Sequence, residues 1–253
     1  MDLGLTDRVF VVSAASSGLG RATAEQLVAE GARVVLVARR AEVLDDVVGR
    51  LGRERAVAQA ADLAEPDTAE AACRQARESF GRLDGALVSV GGPAAGSVLG
   101  TTTEQWQAAF DSVFLAALRL TDAVVRHGTA GDLAVAWVLS TSVKAPIPGL
   151  AASNGLRPGL AMLVKQLADE LGPDGTRVVG LMPGRVETER VQHLDSLSDD
   201  PAAARARSEA SIPLRRYGRP DEFGRIAAFV LSPAASYLTG SMIAVDGGAL
   251  RSL

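Results

Sequence analysis

The chain is short of the residues that most often mark a covalent staple or a proton-transfer centre. Cys73 is the one cysteine among 253 residues, which excludes an intrachain disulfide, and its setting in EAACRQA suits burial on a helix better than thiol chemistry. The two histidines, His127 and His193, stand apart, with no His/Cys/Asp spacing that would hold a metal, and no metal is expected. Tyrosine occurs only at Tyr217 and Tyr237, and lysine only at Lys144 and Lys165, so 24 of the 26 basic residues are arginine. No apolar run approaches the roughly 18 residues that would span a membrane. A formal net charge of −4 supplies no general basic field, so neither nucleic acid nor an anionic membrane is an expected partner. Met1–Thr6 lacks the basic start and apolar core of a signal peptide. A cytoplasmic protein acting on a small molecule is the expectation that remains.

What is present is a regular alternation. Apolar, β-branched runs recur at 9–12, 34–37, 57–60, 83–88, 133–139, 178–182 and 242–245. Between them, 20–30, 41–53, 66–80, 103–127, 153–171 and 220–231 carry apolar residues at three- and four-residue spacing. Strand–helix alternation of this kind predicts an α/β fold, a doubly wound and mostly seven-stranded parallel sheet with helices on both faces, in one domain over residues 1–253. The stretch 183–220 reads as long irregular chain, acidic at 195–200, and is a candidate lid. Ligands in such sheets bind beyond the carboxyl ends of the strands, so the residues there carry the functional reading.

The first strand runs straight into Ser13-Ala14-Ala15-Ser16-Ser17-Gly18-Leu19-Gly20 and then a helix. Small residues let a ligand approach the backbone, and the helix start turns unpaired N–H groups and the positive dipole end toward it, as a pyrophosphate requires. A plain strand-to-helix turn is the other reading of this stretch alone. The spacing resembles T-G-x-x-x-G-x-G, the dinucleotide loop of the short-chain dehydrogenase/reductase family, with Ser13 for the threonine and Ala14 for the first glycine. The similarity extends over essentially the whole chain: Ser89-Val90-Gly91-Gly92 stands where the family carries N-N-A-G, Pro183-Gly184-Arg185-Val186-Glu187-Thr188 matches P-G-x-V-x-T, and Gly218-Arg219-Pro220 and Asp246-Gly247-Gly248 match the C-terminal signatures.

The resemblance implies a Rossmann fold that binds a nicotinamide dinucleotide through Ser13, Ala15, Ser16, Ser17, Gly18, Leu19, Gly20 and Gly91. It implies adenine contacts from Asp62 and Leu63, and nicotinamide contacts from Pro183, Gly184, Val186 and Thr188. Arg39, after the second strand, replaces the acidic residue that would bond a ribose 2′-hydroxyl and suits a 2′-phosphate, so NADP(H) is expected over NAD(H). Homodimers or homotetramers built through the long helices are also what the family implies.

The catalytic pattern is a serine, a tyrosine thirteen positions on, and a lysine four beyond that. Ser140 matches the first, whereas Ser153 and Arg157 stand at the other two positions and Val113 stands where an asparagine completes the set. The sequence S-N-x-x-R resembles a divergent subgroup similar to 3-oxoacyl-acyl-carrier-protein reductases. A serine hydroxyl is far less acidic than a phenol, and arginine holds an anion by its fork of donors but relays no proton. The expected activity is NADP(H)-dependent reduction of a carbonyl, with Ser140 polarising the substrate oxygen, Ser153 as a hydrogen-bond partner or water anchor, Arg157 holding the nicotinamide ribose or an anionic substrate group, and water or Lys144 delivering the proton. A binding-only scaffold and a lyase or isomerase on the same fold are the alternatives.

Overall fold

The computed structural model describes residues 2–252. In chain order the strands are β1 (Val9–Ser13), β2 (Arg33–Ala38), β3 (Ala56–Ala60), β4 (Gly85–Val88), β5 (Ala134–Val138), β6 (Arg177–Pro183) and β7 (Met242–Val245). They form one parallel sheet in the order β3-β2-β1-β4-β5-β6-β7. The helices are α1 (Gly18–Ala29), α2 (Ala41–Leu51), α3 (Thr68–Phe80), α4 (Thr103–Ala109), α5 (Ala116–His127), α6 (Ala151–Leu171), α7 (Glu189–Ser196), α8 (Pro201–Ser211) and α9 (Pro220–Leu231). Among the described residues no helix is long and apolar enough to cross a membrane.

Side chains alternate across the sheet with the strand period of two. Phe10, Val12 and Leu36 face one core with α1, α2 and α9, while Val9, Val11, Val35 and Trp137 face the other with α3, α5 and α6. Burial on both faces is why these strands read as unbroken apolar runs. Gly224 of α9 meets α1 so closely that a Cβ there would lie 2.5 Å from the Ala22 carbonyl oxygen.

Two expectations need correction. The stretch 183–220 is not irregular: α7 and α8 occupy half of it, each capped by a side chain, with Thr188 Oγ1 accepting the Val191 N–H and Asp200 Oδ1 accepting the Ala203 N–H. These helices are short and weakly apolar, so no buried stripe marked them. The single helix expected over 103–127 is divided by a π-helical segment, Phe110–Leu115, which carries the fully buried Val113. Wide turns of this type inside α-helices commonly accompany functional sites.

The sheet reverses its winding between β1 and β4, and buried polar groups pin that seam at both ends. At the lower end Asp84, 2% exposed, accepts the Val9 N–H at 2.8 Å and both Nε and Nη2 of Arg82 at 2.8 and 2.6 Å. At the upper end the Ser13 hydroxyl donates toward the Ser89 carbonyl at 2.7 Å and accepts the Ser89 N–H at 2.9 Å. Removing the Asp84 carboxylate orphans the buried Val9 N–H, while the exposed Arg82 guanidinium returns to water, so Asp84→Ala is expected to cost about 1–3 kcal/mol, read as a lower urea midpoint at unchanged m-value.

Candidate active site

The carboxyl ends of the strands open into one cavity of about 570 Å³ beside the β1–β4 seam. Its floor is the loop between β1 and α1. The first helical residue, Gly18, sits at φ 56°, and Ser17 before it is extended and makes no side-chain cap, so the N–H groups of Gly18, Leu19 and Gly20 point out unclaimed by Ser17 Oγ. Gly20 is dictated by space, since a Cβ there would lie 2.5 Å from the Ala14 carbonyl oxygen. Ala14 itself holds φ 50°, a left-handed conformation that disfavours a side chain.

One wall is the end of β5. Ser140 is extended, and its Oγ accepts the Ser142 N–H at 3.0 Å, which leaves its own proton free for a ligand in the cavity. Ser153, one turn into α6 and buried, pairs with the hydroxyl of Ser142 at 3.1 Å. Arg157, a turn further and only 6% exposed, donates from Nη1 to the Val138 and Leu139 carbonyls at 2.7 and 3.1 Å. Burial and the nearby charge of Arg190 pull its pKa down to about 10, so it remains a cation at neutral pH. The expected trio of Ser140, Ser153 and Arg157 thus converges on the cavity wall.

The opposite wall comes from β6 and α7, where Pro183, Gly184, Val186 and Thr188 all line the cavity. Thr188 reaches the β1–α1 loop, with its Cγ2 3.3 Å from where a Gly18 Cβ would stand. Gly91 lines the cavity from the end of β4, with nothing within 4 Å of a Cβ built on it. Arg39 and Arg40 stand exposed after β2, Arg39 beside Asp62 at 3.9 Å and Arg40 within 3.3 Å of Ser16 Oγ.

Some expected residues lie elsewhere. Ser13 and Ala15 are fully buried, the first as the seam's cross-strand bond and the second inside the core, so neither side chain faces the cavity. Leu63 packs against the core beside α3 and α5. Lys144 is exposed and does not line the cavity. Cys73 is buried, with its thiol pushed up to about 12 by desolvation, in keeping with a packing role. Two residues were missed from sequence: Ser142, hidden because its role depends on Ser153 being folded beside it, and Arg190, a lining residue whose Nη2 donates to the Pro93 carbonyl at 2.7 Å.

The enoyl-(acyl carrier protein) reductase family model matches residues 13–249. The 2,5-dichloro-2,5-cyclohexadiene-1,4-diol dehydrogenase of Sphingobium indicum is 31% identical over 96% of this chain and 97% of its own length. Among solved structures, L-sorbose reductase of Gluconobacter frateurii in complex with NADPH and L-sorbose superposes with a TM-score of 0.93, at 28% identity and full coverage of both chains. An NADPH-bound short chain oxidoreductase of Pseudomonas aeruginosa, described as containing an atypical catalytic center, gives a TM-score of 0.88 at 30% identity over 98% of each chain.

The strained loop residue yields a direct test. A left-handed alanine costs about 1–2 kcal/mol, and glycine returns part of that in unfolded-chain entropy. Ala14→Gly is therefore expected to stabilise the protein by up to about 1 kcal/mol, raising Tm by roughly 2–4 °C. A lower Tm would show that the loop carries no strain.

Proposed function

Because the chain belongs to the short-chain dehydrogenase/reductase family, we propose that it is an NADP(H)-dependent oxidoreductase that interconverts a carbonyl and an alcohol with serines and an arginine in place of tyrosine and lysine. The observation that carries this reading is the meeting of the glycine cradle with Ser140, Ser153 and Arg157 around one cavity.

The residues fit a dinucleotide. The open N–H groups of Gly18, Leu19 and Gly20 suit a diphosphate, and Gly91 leaves room for the cofactor beside the backbone. At the adenosine end Arg39 and Arg40 supply the cations that a 2′-phosphate needs, and Asp62 stands close enough to orient Arg39. Structural relatives that are NADPH complexes support the same choice.

When bound, the nicotinamide ring supplies or accepts the hydride. The chain's own work is on the oxygen. Ser140, with its lone pair occupied by the Ser142 N–H, donates its hydroxyl proton as a hydrogen bond to the substrate oxygen and stabilises charge there. Ser153, held by the Ser142 hydroxyl, anchors a water at the same wall, and that water passes a proton to the forming alcohol and recovers one from solvent through the open cavity. Water is a weaker acid here than a phenol beside a lysine, so turnover is slow. The buried Arg157 cation at the same wall holds the nicotinamide ribose or an anionic group of the substrate.

Calorimetric titration with NADPH and NADH in parallel is the first measurement, and tight binding of NADPH with little for NADH is expected. Binding of neither removes the oxidoreductase reading and leaves the scaffold. Charge reversal at the 2′-phosphate cations, Arg39→Glu with Arg40→Glu, is expected to abolish the preference. Ser140→Ala is expected to lower kcat by about 10²-fold with NADPH affinity unchanged. Unchanged turnover in that variant would sink the assigned role.

A further inference from the structure

Four charged side chains line the cavity: Arg157, Arg185, Glu189 and Arg190. Two are matched, since Arg185 pairs with Asp195 at 2.8 Å and Glu189 with Arg40 at 3.4 Å. Arg157 and Arg190 are not: among the described residues neither has a carboxylate within ion-pair distance, although Arg157 is almost wholly buried. Arg157 bonds the protein through Nη1 alone, and Arg190 bonds only the Pro93 carbonyl through Nη2. Their remaining N–H donors have no protein acceptor.

An unpaired buried cation is expensive, and a second one beside it makes each worse by like-charge repulsion. The other buried arginine shows what a structural role looks like. Arg177 donates from both Nη atoms to the Val230, Ala235 and Ser232 carbonyls at 2.9, 3.1 and 2.9 Å, leaving only its Nε without a partner, and so closes the carboxyl end of α9, where a cation is favoured. Arg157 takes up only the Val138 and Leu139 carbonyls and Arg190 only that of Pro93, and both line a cavity whose wall carries the apolar Pro93, Ile147, Leu150 and Leu194 beside its serines and glycines.

We propose that Arg157 and Arg190 together bind a carboxylate on the substrate, which is therefore an oxo acid or hydroxy acid with an apolar chain. This rests on the oxidoreductase reading above. The position favours substrate over cofactor. Arg157 is anchored on the carbonyls of Val138 and Leu139, immediately before Ser140, so the anion it holds lies beside the oxygen that Ser140 polarises. The diphosphate has the N–H groups of the α1 start, and the 2′-phosphate has Arg39 and Arg40. Guanidinium forks match a carboxylate in two-point geometry, and the apolar walls accept the rest of an acyl chain.

The test compares 2-oxohexanoate and 3-oxohexanoate with their methyl esters, by calorimetric binding with and without NADP⁺ and by NADPH oxidation. At least one acid is expected to bind about 10- to 100-fold tighter than its ester, the span of one or two charge-assisted hydrogen bonds. Arg190→Met is expected to erase that preference while changing NADP⁺ affinity less than about threefold. Arg157→Met is expected to do the same, and Arg157→Lys, which keeps the charge in the buried site, to retain part of it. Equal binding of acids and esters overturns the proposal, as does an Arg190→Met variant that loses NADP⁺ affinity with its acid preference intact. If neither cofactor binds while the Arg190-dependent acid preference persists, the oxyanion site stands and the oxidoreductase reading fails.

Discussion

The structure depends on the seam between β1 and β4, where a parallel sheet built outward in both directions must meet itself. Parallel strands are joined by crossovers, so no hairpin turn fixes the register at this junction. Buried polar side chains do it instead, Asp84 holding the Val9 N–H at one end and Ser13 clasping both backbone groups of Ser89 at the other. The two anchors act on opposite ends of a short pairing, Phe10 to Gly85 through Val12 to Leu87, and leave it no freedom to slip. The cavity is the consequence at the upper end. Chains leaving β1 and β4 diverge to opposite sides of the sheet and open the crevice that ligands use.

The same seam explains how the protein tolerates the loss of asparagine after β4. With Ser89-Val90-Gly91-Gly92 in that place, no amide side chain bridges the strands. The Ser13 hydroxyl takes the task from the other strand, its proton directed at the Ser89 and Leu87 carbonyls and its fully buried oxygen accepting the Ser89 N–H. Gly91 and Gly92 are then free to serve the cavity, one leaving open space and the other making room for the Arg190 guanidinium, whose Nε stands 2.8 Å from where a Gly92 Cβ would be. A bulkier residue at Gly92 would displace a cation from the site.

Sheet and flanking helices were legible in the sequence because burial on both faces forces β-branched runs and because amphipathic helices repeat at their own period. The edge strand β7 marks the limit of that logic. Its apolar run placed it correctly at 242–245, yet Met242, Ile243 and Val245 are only partly buried and Ala244 is exposed, because an edge strand has a neighbour on one side alone. Helices α7 and α8 were illegible for a different reason. Their stability comes from partners distant in sequence, with Arg205 bonding Glu187 and stacking over Tyr217, and Tyr217 reaching back to Asp195. The π-helical turn around Val113 likewise leaves no local mark. Ser140, Ser153 and Arg157 were found by spacing, but Ser142 and Arg190 acquire meaning only when β5, α6 and α7 stand around one cavity.

Those tertiary partners also decide how α7 relates to the site. Arg185 is tied to Asp195 within the same segment, and Arg205 of α8 is tied to Glu187, so the stretch after β6 folds largely against itself. Its grip on the rest of the cavity is lighter: Glu189 reaches Arg40 and Ser17 at 3.4 and 3.3 Å, and Arg190 reaches Pro93. The exposed Glu189 contacts contribute little individually, whereas the internal ties to the half-buried Asp195 contribute more. The segment is thus coherent within itself and more lightly held to the loops across the cavity. Because it carries Arg190 to the wall of the cavity that Arg157 also lines, an anion bound by both cations would tie α7 to α6.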